Sequence, residues 1–473
     1  MNSLVKNVSY QTLYRVLTLI TPFITAPYLA RVLGVENLGV FSFYTAIMDY
    51  FLIFAQFGFA NYGTKVIAYH QDDRKAYSKT FWSLYVLQVI ITVIVINAYG
   101  VYILMSIGAD SFNIVLIQLL MLISCLFDIN WFFWGIEEFK ITVVRNIIIK
   151  ILTVSSIILF VKDSSDLNVY VFIMAFGTFL TQISIWPYLK RYISKAKIDW
   201  REVKTHFLGC FKLFIPILAM SVYQIMDKVM LGWISGFTES GFYYNSDKVV
   251  AIPLELIFAV VTAILPRISY LVNLHDDEKA TALFRQVFNI LIILTCGMAF
   301  GIAAISNEFV PLFFGDGYER CINLIKMFAP IVVIKSGSYV LRMLYLIPYE
   351  MDGVYLKSVL WGIVANLIGN SIFIYPFGAA GAIIGTTLAE LSVFIYQIMY
   401  VKKNICMNKS LSVFFVSVIA GSLMYISVRY CSMFEINRIV VIMMEILAGV
   451  IVYLGVSCLL FLPKISKSRF LKR

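Results

Sequence analysis

Charge is scarce in this chain. Asp, Glu, Lys and Arg make up 14% of its 473 residues, and there are only three histidines. A soluble domain carries roughly 25% charged residues, so no sizeable water-facing module fits, and a soluble ATPase or catalytic domain is excluded. Cysteine is sparse and unpatterned: Cys125, Cys210, Cys296, Cys321, Cys406, Cys431 and Cys458 contain no C-x-x-C pair, which argues against a disulfide or cluster framework. His70, His206 and His275 lack metal-ligand spacing, and no cofactor or metal is expected. The stretch Gly58-Phe59-Ala60-Asn61-Tyr62-Gly63-Thr64-Lys65 imitates a phosphate loop, but its Thr-Lys order inverts the required Lys-Ser/Thr and no strand precedes it.

What fills the chain is apolar: 61% of residues are hydrophobic, and 16% are aromatic. At about 20 residues per crossing this composition supplies about fourteen transmembrane helices. Apolar runs separated by short polar breaks place them at 10–31, 40–62, 81–105, 112–134, 142–161, 167–189, 207–233, 244–266, 286–305, 321–345, 354–375, 379–400, 411–430 and 437–462. The opening residues run into the first span without an A-x-A cleavage site, so a retained helix is expected. With the N-terminus in the cytoplasm, 26 of the 38 Lys and Arg fall in inside loops, at the inner ends of spans or in the tail, and five (Arg31, Lys162, Arg320, Arg429, Arg438) fall outside. The remaining seven, Arg15, Lys150, Lys228, Lys248, Lys326, Lys335 and Arg342, lie within spans. A positive-inside bias therefore accounts for the net charge of +11 with both termini cytoplasmic, and no nucleic-acid partner is needed.

The two halves echo each other at an offset of about 200 residues, the mark of an internal repeat. Leu33-Gly34-Val35-Glu36-Asn37-Leu38-Gly39 between spans one and two is matched by Ser235-Gly236-Phe237-Thr238-Glu239-Ser240-Gly241 between spans seven and eight. His70-Gln71-Asp72-Asp73-Arg74 is matched by His275-Asp276-Asp277-Glu278-Lys279, and Gly177 to Ile185 by Gly385 to Val393. The expected fold is an all-α polytopic membrane protein: two six-helix lobes related by a pseudo-two-fold along the membrane normal, plus two C-terminal helices. The lobes are 1–189 and 207–400, joined by a basic cytoplasmic linker at 190–206, with helices thirteen and fourteen and a basic tail in 401–473.

The opening Asn7, the turn Ala30-Arg31-Val32-Leu33-Gly34-Val35-Glu36-Asn37-Leu38-Gly39, the segment Gly241-Phe242-Tyr243-Tyr244-Asn245-Ser246-Asp247-Lys248 and Phe377-Gly378-Ala379-Ala380-Gly381-Ala382 together carry a family likeness. The chain resembles the polysaccharide-transport branch of the multidrug/oligosaccharidyl-lipid/polysaccharide (MOP) exporter superfamily, the Wzx-type flippases for O-antigen and capsule repeat units. The resemblance covers nearly the whole chain. It implies a non-enzymatic transporter in the bacterial cytoplasmic membrane, flipping an undecaprenyl-pyrophosphate-linked oligosaccharide by alternating access. The partners it implies are that lipid, the bilayer, and polysaccharide polymerase and chain-length machinery. Two rivals remain at this point: a cation-coupled multidrug exporter of the same superfamily, and a membrane polysaccharide polymerase, which would need a larger outer loop.

Ionisable residues inside spans are costly and mark function by default, and an anionic headgroup calls for cations. Lys335 and Arg342, seven residues apart, share a helix face to within about 20° and rank first, followed by Arg15. Asp227-Lys228 and Asp247-Lys248 flank the turn at Gly236 to Gly241, where they serve either as an interhelical ion-pair clamp or as substrate contacts. Asp128 is a counter-ion, a proton site or a helix cap. Asp49, Glu255, Glu390 and Glu445 are the other span acids, each a candidate for ion coupling or for a structural pair.

Overall fold

The computed structural model describes residues 3–108, 111–402, 405, 408–433 and 437–470. Among these residues thirteen helical stretches are long and apolar enough to cross a membrane. Helices suit a bilayer because they satisfy every backbone N–H and C=O internally where no water is available. One of the thirteen, Ile20–Tyr69, has 50 residues, about 75 Å at 1.5 Å per residue, more than twice a hydrocarbon core of about 30 Å. It turns at Gly34 (φ 78°, ψ 171°), so it holds the first two of the fourteen predicted crossings.

The matched turn in the second half bends in the same way. Gly236 has φ 86° and ψ 176°, a region that side chains with a Cβ avoid. Three residues after each glycine a side chain ties the turn to a helix start far along the chain. Asn37 Nδ2 donates to Ser164 O at 2.8 Å, just ahead of Leu167–Ile183. Glu239 Oε2 accepts from Ala379 N at 2.8 Å, the first residue of Ala379–Val401, and also pairs with Arg320 Nη2 at 2.8 Å. Gly378 sits at φ 59°, and a Cβ there would strike the Glu239 carboxylate, so the Phe377 to Ala382 motif is the socket for this carboxylate.

The second pair of matched segments corresponds at its capping acids rather than at its histidines. Asp73 caps Arg74–Met105 through Lys75 N and Ala76 N at 2.8 and 3.1 Å. Asp276 caps Asp277–Phe313 through Lys279 N at 3.2 Å. The Ala76 and Lys75 N–H groups hold the Asp73 carboxyl below the usual carboxylate range. At Asp276 the Lys279 ammonium, then its N–H, does the same. The third pair corresponds as close approaches: a Cβ at Gly177 would lie 2.6 Å from Thr153 Oγ1, and one at Gly385 would collide with the Asn370 carboxamide and lie 3.1 Å from the Asn370 backbone N.

Besides the sixth, which breaks between Leu167–Ile183 and Trp186–Tyr192, three predicted spans are interrupted. The second bends again at Phe57 and Gly58, both at positive φ, and continues as Phe59–Tyr69, which makes the supposed phosphate loop a packed helix whose Gly63 abuts Trp131. The fourth stops at Cys125 and resumes as Asn130–Gly135. The tenth, Glu319–Leu341, passes into a π-helical turn over Arg342–Leu346, closed by Ile347 N to Arg342 O at 2.9 Å.

The chain divides into two compact units, Met1–Gly232 and Trp233–Arg473. The division falls at Gly232, near the end of Trp200–Ser235. The first unit is centred on aromatic packing: Phe81, Trp131, Phe132 and Phe133 are all but fully buried, with Phe81 stacked on Trp131 at 5.4 Å. In the second, Asn408–Cys431 and Arg438–Phe470 dock on Asp277–Phe313 through Ala420, Met424, Val428, Tyr453 and Ala304. Tyr453 Oη donates to Ile293 O at 2.5 Å. Large apolar side chains such as Leu104, Leu152 and Ile451 remain exposed, which is the surface a bilayer covers.

Candidate functional site: charged groups within the spans

In the second unit Lys335, Glu390, Arg342 and Tyr355 form one cluster. Lys335 Nζ lies 3.6 Å from Glu390 Oε1, with the lysine side chain 28% and the carboxylate 2% exposed. A buried carboxylate needs such a partner, since an isolated ion in low dielectric is strongly disfavoured. Arg342 lies with its guanidinium carbon 4.2 Å from the Tyr355 ring centroid, and Tyr355 is in the electrostatic range of both Arg342 and Glu390. The π-helical turn begins at Arg342, so the guanidinium leaves the helix where the backbone is locally widened and underwound. Among the described residues Arg342 forms no ion pair, and its Nε has no hydrogen-bond partner.

The residues flanking the Gly236 turn divide between the units. Asp227 is buried and acts electrostatically on Tyr50, whose hydroxyl donates to Val222 O at 3.0 Å. Lys228 acts on Asp49, bringing two predicted site residues of opposite charge together. Lys248 Nζ sits 4.1 Å from the Tyr244 ring centroid, on the same helix as Asp247. Glu255 is exposed on the helix surface. The Arg15 side chain lies outside the described residues. Glu445 is fully buried beside Glu308, which holds Arg429 Nη1 at 3.1 Å.

In the first unit Asp128 acts as the brace of the helix interruption. Its Oδ1 accepts from Asn130 N and Nδ2 at 3.1 and 2.7 Å, and its backbone carbonyl accepts from Gln88 Nε2 at 2.8 Å. Asn130 in turn donates to Gln182 Oε1 and accepts from Arg145 Nη2 at 2.8 Å. Arg145 is 7% exposed, and sequence reasoning missed it by assigning it to the inside loop. The available signal was its setting between Val143-Val144 and Asn146-Ile147-Ile148, where a guanidinium has no water unless the fold supplies a polar niche.

The comparisons agree with this architecture. A family model described as "Polysaccharide biosynthesis protein" matches residues 4–272, more than half of the chain. The "Putative O-antigen transporter" of Escherichia coli (strain K12) is 25% identical over 412 residues, covering 85% of this chain and 97% of the relative. A "Probable low-salt glycan biosynthesis flippase" of Haloferax volcanii is 22% identical over 384 residues, covering 78% and 77% of the two chains. Among solved structures, the lipid II flippase MurJ in an inward closed conformation aligns with a TM-score of 0.72 at 16% identity, covering 98% of this chain and all of that one. An inward-facing multidrug resistance MATE transporter of the MOP superfamily aligns at 0.62 and 12% identity, covering 85% and 99%. The fold is thus that of the MOP transporters, and the chain belongs to the polysaccharide biosynthesis protein family, as its turn motifs implied.

Proposed function

We propose that this protein is a flippase that moves undecaprenyl-pyrophosphate-linked oligosaccharide repeat units from the inner to the outer leaflet of a bacterial cytoplasmic membrane. The cycle is alternating access of two lobes, 1–189 and 207–400, joined by the basic linker 190–206 and followed by the helices of 401–473. Both termini face the cytoplasm in this reading, in keeping with the side on which Lys and Arg concentrate.

The observation that carries the proposal is Arg342, a span cation held against the Tyr355 ring at 4.2 Å instead of against an acid. A ring face compensates part of the guanidinium's desolvation while leaving N–H edges for a phosphate oxygen. Lys335, paired at 3.6 Å with Glu390, supplies a second cation that an anionic headgroup can draw from its carboxylate. Arg15, Lys228 and Lys248 complete the set of cations assigned to the headgroup, with Asp49, Asp128, Asp227, Asp247, Glu255 and Glu390 as counter-ions or coupling groups. The similarity to the O-antigen transporter of Escherichia coli supports the same class of cargo.

The test is to deplete the protein in its native cell and quantify undecaprenyl-pyrophosphate-linked repeat units by mass spectrometry. Accumulation of complete, unpolymerised units on the inner leaflet is expected. Unchanged lipid intermediates would overturn the assignment in favour of the cation-coupled multidrug exporter. In the same assay Arg342→Gln should reproduce the accumulation while the protein remains folded in the membrane.

A further inference from the structure

The first unit contains a cavity of about 600 Å³ bordered by Phe139–Phe160 and Trp186–Tyr192. Lys140, Arg145 and Arg191 line it together with one acid, Glu138. Glu138 is itself engaged by the Tyr192 hydroxyl, so the wall is positive overall. Arg145 is more than nine-tenths buried. Its bonds go to neutral amides, Nη2 to Asn130 and Asn146 at 2.8 Å each and Nε to Asn146 at 3.2 Å, while Nη1 has no hydrogen-bond partner. Asp128, the acid that acts electrostatically on it, is linked to it through Asn130. A buried guanidinium that keeps its charge without a direct carboxylate is the arrangement an incoming anion completes.

Ile141, Val144, Ile148 and Ile149 form the apolar part of the wall. Val144 and Ile148 are exposed on the helix face that carries Lys140, at i+4 and i+8 from it. Lys140 is in the first turn of its helix and Arg191 in the last turn of the other. Both cations therefore lie at the membrane rim, with the apolar strip running about 12 Å inward. Tyr188, exposed beside them, supplies a hydroxyl at the depth of lipid phosphates.

We infer that this cavity is a binding site for a phosphate-headed lipid, with the phosphate between Lys140, Arg145 and Arg191 and the first carbons of the chain against Val144 and Ile148. The site is formed by helices of the first unit alone and is separate from the Arg342 cluster. It holds whether the occupant is a polyprenyl phosphate or a phospholipid of the bilayer, and it does not require that the occupant be transported.

The test is native mass spectrometry of the purified full-length protein, titrated separately with undecaprenyl phosphate, phosphatidylglycerol, diacylglycerol and inorganic pyrophosphate. The variants are Lys140→Gln with Arg191→Gln, which leaves the buried Arg145 network intact, and Val144→Trp, which fills the apolar strip. The paired substitution should weaken the phosphate-headed lipids about tenfold or more and leave diacylglycerol unmoved, and Val144→Trp should weaken the lipids while sparing pyrophosphate. A loss confined to undecaprenyl phosphate identifies a polyprenyl occupant, whereas an equal loss for phosphatidylglycerol identifies bilayer lipid. Lipid binding unchanged in both variants, or pyrophosphate bound as tightly as either lipid, would overturn the inference. Because no transport is read, a failed flippase assignment leaves this measurement standing.

Discussion

The turn after Gly34 and the turn after Gly236 perform one task with opposite chemistry. Both glycines share a backbone conformation, and both turns are tied to a distant helix start by the side chain three residues on. In the first unit the tie is an amide, Asn37, donating to a carbonyl. In the second it is a carboxylate, Glu239, which accepts from the N-terminal N–H of Ala379–Val401 and holds Arg320. The second tie gains from the positive helix terminus and from a charge-assisted bond, so the geometry of the repeat survived while its electrostatics diverged.

The comparison can be broken most forcefully at the matched close approaches. Gly385→Ala would drive a methyl onto the Asn370 carboxamide and against the Asn370 backbone N, and should cost about 1–3 kcal/mol as overpacking. Gly177→Ala meets only the Thr153 side chain, so its smaller loss should disappear on adding Thr153→Ala. The apparent melting temperature in detergent, followed by tryptophan fluorescence, checks both, and equal losses would count against the difference in packing.

Comparable in size, Glu239→Ala should remove about 1.5–3 kcal/mol, the range for hydrogen bonds to charged groups. Glu239→Gln should recover part of it by restoring an acceptor for Ala379 N–H without the Arg320 pair. Gly34→Ala and Gly236→Ala should each cost about 1–3 kcal/mol, since φ near +80° with extended ψ is open essentially only to glycine. The two shifts should be equal, because a Cβ meets nothing within 4 Å at either glycine; a clear inequality in melting temperature would break the correspondence of the turns. The smallest effect is expected at Asn37→Ala, about 1 kcal/mol or less for a neutral hydrogen bond, and a shift as large as that of Glu239→Ala would deny the electrostatic distinction.

Much of this was legible in the sequence. Spans could be read because roughly 20 apolar residues in a row have one stable home, and Gly34 and Gly236 stood out because glycines punctuate turns. The capping acids were misaligned by their histidines, since identity at His70 and His275 is easier to see than the role of Asp73 and Asp276. The partners of the charges were the least legible. Lys335 and Glu390 are 55 positions apart, and no local pattern announces that one will lie 3.6 Å from the other. Arg145 escaped because its niche is assembled from Asn130, Gln182 and Asp128, which lie on other segments.

By itself the sequence determined that this is a many-helix membrane protein built on a repeat, because apolar run length and glycine spacing act locally along the chain. Only the tertiary structure decided which cation is matched by an acid, as Lys335 is by Glu390, and which is held by a ring or by amides, as Arg342 and Arg145 are. In a low dielectric the state of a charge depends on the few groups within several ångströms of it, and those groups come from helices that the chain order keeps far apart.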